Sequence, residues 1–102
     1  MGQIEYPNFP TEFELHAQIF CFLRREGIDV RGEVKMPFGS TGRCSFDLVV
    51  FKNKIATSVI EVKKTSHRRD GTRQNSRYRR FGVPVIYFWN MKFAPQLLEM
   101  VR

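Results

Sequence analysis

The chain has 102 residues, 42% of them hydrophobic and 14% aromatic with ten Phe, and a formal charge of +7 from seventeen Lys and Arg against ten Asp and Glu. That is the length of one core and enough apolar material to fill it, which excludes a disordered chain, predicts a single domain over residues 1–102, and makes polyanions, nucleic acid first, the expected partners. Cys21 and Cys44 have neither the number nor the spacing of a disulfide framework or a metal site and read as reduced core thiols, while the chain lacks a leader pattern and the roughly 18 apolar residues of a bilayer span, so a cytoplasmic protein without a membrane partner is expected.

Thr11 followed by Glu14 is a capping box, and Leu15, Ile19, Phe22 and Leu23 recur at helical spacing up to Gly27, which predicts a first helix from about Glu12 to Glu26. Ile28 to Val34 alternates as a first strand, and Pro37, Gly39 and Gly42 punctuate the loop after it. Ser45 to Phe51 reads as a second strand, Asn53 and Lys54 as a hairpin turn, and Ile55 to Lys63 as a third strand, the three antiparallel. Thr72 to Phe81 has a helical pattern stopped by Gly82 and Pro84, Val85 to Trp89 is a continuous apolar run typical of a buried strand, and a short helix near Pro95 to Val101 covers the sheet. The order αβββαβα predicts an α/β (α+β) fold, a mixed central sheet flanked by helices.

Two carboxylates stand out against this pattern. Asp47 lies between Phe46 and Leu48 in an apolar strand, where an unpaired charge costs several kcal/mol. Glu61 and Lys63 share one face of the third strand, with Ile60 and Val62 on the other. Because Lys54 is midway between Asp47 and Glu61, a tight hairpin would set the two acids nearly opposite one another, roughly 5 Å apart across the ladder. A divalent cation such as Mg²⁺ relieves that repulsion, since it binds through one or two carboxylates plus phosphate oxygens, and Lys63 would then hold or activate an attacking water. A cross-strand salt-bridge ladder explains the same three residues without chemistry. Glu12 begins the stripe that continues through Leu15, Ile19 and Leu23, so it can approach the sheet, although complementing the helix dipole accounts for it as well. Glu33 reads as an exposed partner of Arg31 or Lys35.

From Lys63 to Arg80 the chain carries Lys63, Lys64, Arg68, Arg69, Arg73, Arg77, Arg79 and Arg80 against Asp70 alone, a net of seven positive charges, so the rest of the chain sums to neutral. Mostly Arg, this window suits phosphate contacts that supply affinity and register, although a solvated basic helix is the plain alternative. Gln74 and Tyr78 are four residues apart and share a helix face with Arg73 and Arg77 beside them; a core Tyr with an incidental Gln is the ordinary reading.

From Thr11 to Trp89 these elements and residues together resemble the PD-(D/E)xK nuclease superfamily, with its restriction-endonuclease-like αβββαβ core. Glu12, Asp47, Glu61 and Lys63 fall where that family gathers acids and a lysine around divalent metal, and Gln74 to Tyr78 reproduces the Gln-x-x-x-Tyr of its RecB-type members. Phe46 stands where the name-giving Pro would be. In size and charge the chain is similar to small Holliday-junction resolvases, the VRR-NUC group and compact phage or homing endonucleases. The resemblance implies a Mg²⁺-dependent deoxyribonuclease, with Mn²⁺ as a substitute, that is structure-selective for junctions or flaps or else site-specific. It implies metal held by Asp47, Glu61, the Val62 carbonyl and Glu12, catalysis assisted by Lys63, Gln74 and Tyr78, and DNA clamped by Lys64, Arg68, Arg69, Arg73, Arg77 and Arg80. A homodimer or higher homo-oligomer would supply two centres for two strands. The alternative is a non-catalytic nucleic-acid-binding module on the same fold.

Overall fold

The computed structural model describes residue 3 and residues 10–38, 42–63 and 82–102. Helix α1 (Glu12–Arg25) leads to strands β1 (Asp29–Phe38), β2 (Gly42–Lys52), β3 (Ile55–Val62) and β4 (Val85–Phe88), followed by a 3₁₀ turn at Met91–Phe93 and helix α2 (Ala94–Val101). The four strands form one sheet in the order β1-β2-β3-β4, antiparallel across the first three and parallel between β3 and β4. The fold is therefore α+β, a mixed sheet with two α-helices among the described residues. The helix expected over Thr72 to Phe81, the basic window beyond Lys63, and the residues Lys64, Arg68, Arg69, Arg73, Gln74, Arg77, Tyr78 and Arg80 lie outside the described residues. No helix among the described residues is long and apolar enough to cross a membrane.

Local chemistry sets the ends of α1. The Thr11 hydroxyl accepts from the Glu14 N–H at 3.1 Å while the Glu14 carboxylate accepts from the Thr11 backbone, which completes the capping box. At the other end Gly27 takes φ +83°, and the N–H groups of Ile28 and Gly27 donate to the carbonyls of Leu23 and Arg24. This is a Schellman cap, which needs a residue free to enter the left-handed region. Leu15, Ile19 and Leu23 form the buried stripe. Cys21, two residues past Ile19, is carried to the outer face and is exposed, so it is a surface thiol and not the core thiol the sequence suggested; the side chain of Cys44 is not among those described.

The α1 stripe packs on Val30, Leu48, Val50, Ile60, Val62 and Phe88, and Ala94, Leu97, Leu98 and Val101 of α2 complete the same core. Truncating such a side chain to Ala costs about 2–5 kcal/mol. Phe46, Val49 and Val59 belong to a second cluster, with Val34, Phe51, Ala56, Val83 and Val85 packed against it. Strand alternation places Val49 and Val59 on the opposite face from their neighbours Leu48, Val50 and Ile60.

Two interruptions of the ladders decide what faces what. In the β1–β2 register, pairs run from Asp29/Phe51 to Gly32/Leu48 and resume at Val34/Phe46, omitting Glu33 and Asp47. Glu33 has φ +52°, and across this break Phe46 and Leu48 point to opposite faces although they are two residues apart. In the β2–β3 hairpin, Asn53 and Lys54 both have positive φ, as a two-residue type I′ turn requires. A register shift between Val50 and Phe51 makes Thr57 the extra residue, and its hydroxyl donates to the Val50 carbonyl at 3.3 Å. β1 runs on through Pro37 and β2 begins at Gly42, so the loop is shorter than the Pro and Gly residues suggested.

Candidate active site at the end of the β2–β3 ladder

The pairs of β2 and β3 end at Leu48 and Ile60, and one further step in the same register would bring Asp47 level with Glu61. The two-residue turn alone would have set Asp47 opposite Ile60; the bulge at Thr57 supplies the extra residue that brings Glu61 there instead. The ladder does not simply continue. Val59 and Lys63 donate their N–H groups to the β4 side, to Pro84 and Phe88, so the intervening Val62 N–H faces β2. There it donates to the Asp47 carboxylate, Oδ2 at 3.0 Å. Asp47 thus makes with its side chain the bond that a backbone carbonyl would make in a regular strand, and this partner accounts for part of the cost of a carboxylate in an apolar strand.

The Asp47 carbonyl is in turn 3.0 Å from Nε2 of His16 on α1. A carbonyl only accepts, so His16 carries its proton on Nε2 in this contact. Gly32 lies below the ring, and a Cβ there would come within 3.6 Å of His16 Cε1, an ordinary contact. One residue therefore ties three elements together: His16 holds the Asp47 main chain to α1, and the Asp47 side chain holds β3.

Glu12, His16, Glu33, Asp47 and Val62 line one cleft of about 590 Å³ between α1 and the strand ends, together with Phe13, Ala17, Phe20 and Gly32. Glu12 is exposed at the start of its helix, and its neighbours down the stripe are buried. Glu33 enters this cleft and is not the partner of Arg31, which pairs with Asp29 at 2.9 Å; its left-handed backbone turns it out of the alternation that would have placed it beside Arg31.

Glu61 and Lys63 do not line this cleft. Glu61 is 3% exposed and alternates with Ile60 and Val62, so it points away from α1. Its partner in the parallel pairing is Tyr87 of β4. Burial raises the Tyr87 hydroxyl above its usual pKa, and the Glu61 charge raises it further. The N–H of Lys63 extends the β4 ladder, which keeps Lys63 half-buried on the Glu61 side. The structure thus brings Glu12, Asp47 and Val62 together on the helix side, and leaves Glu61 and Lys63, the neighbours of Val62 in sequence, off this cleft.

Among the described residues no three His, Cys, Asp or Glu side chains converge closely enough to hold a metal ion. The His16 ring is engaged by the Asp47 carbonyl and the Glu61 carboxylate lies on the opposite face of β3, so the donors left on the cleft side are oxygens: the Asp47 carboxylate, Glu12 and Glu33 along the cleft, and the Val62 carbonyl, which shares the β2-facing side with the Val62 N–H. That chemistry suits Mg²⁺, which uses one or two carboxylates and fills its octahedron with water and phosphate oxygens. His16 was missed in the sequence because a lone His beside a core stripe has no motif; its step of four from Glu12, on the same helix face, was the available signal. Comparison with known proteins returns no matching family model, no matching curated protein and no matching solved structure.

Proposed function

We propose that the protein is a divalent-metal-dependent DNA endonuclease of the PD-(D/E)xK type. The observation that carries this reading is the hydrogen bond from the Val62 N–H to Asp47. Val62 is the middle residue of Glu61-Val62-Lys63, so the acid of the second strand meets the third strand at the point where such a nuclease needs it. Asp47, Glu61 and the Val62 carbonyl would hold Mg²⁺ or Mn²⁺, with Glu12 reaching the same ion's water shell or a second ion across the cleft. When bound, the ion supplies Lewis acidity and charge neutralisation at the phosphate. Lys63 holds and activates water, Gln74 and Tyr78 steady the site from the following segment, and the basic residues from Lys64 to Arg80 hold flanking phosphates, so affinity falls steeply with salt. Two copies of the chain would supply the two centres needed to cut both strands.

A second reading is a nucleic-acid-binding module on the same fold that does not cut. It is favoured by the placement of Glu61 and Lys63 on the far face of β3 from the cleft that holds Glu12. A labelled panel of supercoiled plasmid, linear duplex, four-way junction, flap and single strand, incubated with Mg²⁺, Mn²⁺ or EDTA, separates the two. Metal-dependent cutting that disappears in Lys63→Ala while gel-shift affinity persists supports the nuclease. Retarded but intact DNA in every metal leaves the binding module.

A further inference from the structure

Deepening the endonuclease reading, on which it rests for the position of the phosphate, we propose that the cleft accepts an unpaired nucleotide whose base stacks on Phe13, so that the substrate is DNA with single-stranded or splayed bases. Helix α1 carries two apolar stripes. Leu15, Ile19 and Leu23 are buried in the core. Phe13, Ala17 and Phe20, at steps of four and three, form a second stripe that lines the cleft. Phe13 is 82% exposed, the most exposed large apolar side chain among the described residues. It stands on the first turn of a capped helix, next in sequence to Glu12, at a position where core packing asks nothing of it.

An aromatic ring left in water beside a charged site is a stacking platform in search of a flat partner. In a duplex the bases keep their faces against one another, whereas an unpaired base offers its face to any ring within reach. The cleft, about 590 Å³, has the size of a site for one small ligand. Its charges sort the two ends of a nucleotide. Glu12, Glu33 and Asp47 repel a bare phosphate and accept one only through a bound cation, while the α1 wall of Phe13, Ala17 and Phe20 is free of carboxylates. At the end of that wall the Arg24 guanidinium lies over the Phe20 ring, 5.3 Å from its centroid, and provides a positive charge for the next backbone phosphate.

The test measures fluorescence anisotropy of a labelled oligothymidine and of a blunt hairpin duplex of equal length, with Ca²⁺ in place of Mg²⁺ so that a cation is present while binding is read. Phe13→Ala is expected to weaken oligothymidine binding about tenfold and to leave duplex binding unchanged, because stacking on one base is worth that much. Phe13→Trp should retain the affinity, with the introduced indole quenched by the oligonucleotide. Equal losses on both DNAs, or none on either, overturn the proposal; the exposure of Phe13 makes misfolding an unsuitable explanation, and a thermal melt of the variant checks it. Cleavage is scored separately with Mg²⁺. A protein that cuts nothing yet keeps the Phe13 selectivity refutes the endonuclease and retains the stacking site. One that cuts, with Phe13→Ala cutting single strands and duplex as wild type does, refutes the stacking site and retains the endonuclease.

Discussion

The two ends of the β2–β3 ladder are closed by different kinds of chemistry. At the hairpin end, Asn53 and Lys54 turn the chain with two left-handed residues, and the bulge at Thr57 sits three residues past Lys54; every group involved is close in sequence. At the other end, Asp47 takes the Val62 N–H with its carboxylate and gives its carbonyl to His16, so residues 15 and 31 positions away in the chain converge on it. The first end is a local solution to reversing direction. The second replaces regular backbone pairing with side chains, the arrangement expected where a strand end must present a charged group and not merely continue.

The largest expected effect comes from breaking the coupling between the ends. Inserting one residue between Ser58 and Val59 shifts the pairing of residues 59–63 by one and turns them to the opposite face, driving Ile60 and Val62 out of the core, whereas deleting Thr57 removes only the unpaired residue and keeps every pair. Urea unfolding followed by circular dichroism should lose its cooperative transition. If the insertion variant unfolds like wild type, the ladder has absorbed the extra residue and pairing does not fix the register of residues 59–63.

Next comes Asp47. Asp47→Ala leaves the Val62 N–H without its acceptor and should cost about 1–3 kcal/mol in chemical denaturation as well as all metal-dependent cleavage. Asp47→Asn retains an oxygen for that hydrogen bond and should recover most of the stability and none of the cleavage, which separates the structural role of the carboxylate from its charge.

His16→Ala should cost about 1 kcal/mol through the lost bond to the Asp47 carbonyl. His16→Gln, which can present an N–H near the same place, should restore part of it. An unchanged denaturation midpoint in His16→Ala would mean that α1 is held to β2 by the apolar stripe alone.

The smallest change sharpens the hairpin end. Lys54 has φ +69°, a conformation that costs an L side chain about 1 kcal/mol, so Lys54→Gly should raise stability by about that much and leave DNA binding and cleavage untouched.

Much of the fold was legible because its signals are local. The Thr11 and Glu14 cap, the Gly27 stop, the Asn53-Lys54 turn and the apolar run at Val85 each act within a few residues, and the elements follow them closely. The register that sets Asp47 level with Glu61 was expected from a turn centred on Lys54, but the two carboxylates do not face one another: the pairs stop at Leu48 and Ile60, Asp47 lines the α1 cleft and Glu61 sits beside Tyr87. The structure reaches the same register by another route, a turn centred between Asn53 and Lys54 plus one bulged residue. Glu33 and Cys21 were misplaced for opposite reasons: Glu33 leaves the strand alternation through a left-handed backbone, and Cys21 follows the helix period faithfully to the outer face.

The amino-acid sequence by itself determined the order of the described elements, the apolar stripe of α1, the hairpin and the concentration of positive charge between Lys63 and Arg80, because helix period, strand alternation, turn conformation and net charge are properties of neighbouring residues. Only the tertiary structure decided which side chains meet at the strand ends. The break at Glu33 and Asp47 and the bulge at Thr57 each shift a two-residue alternation by one, and such a shift moves every later side chain to the other face. Because these interruptions depend on pairing between strands, Asp47 came to lie with Glu12 and His16 on one side of the sheet and Glu61 with Tyr87 on the other.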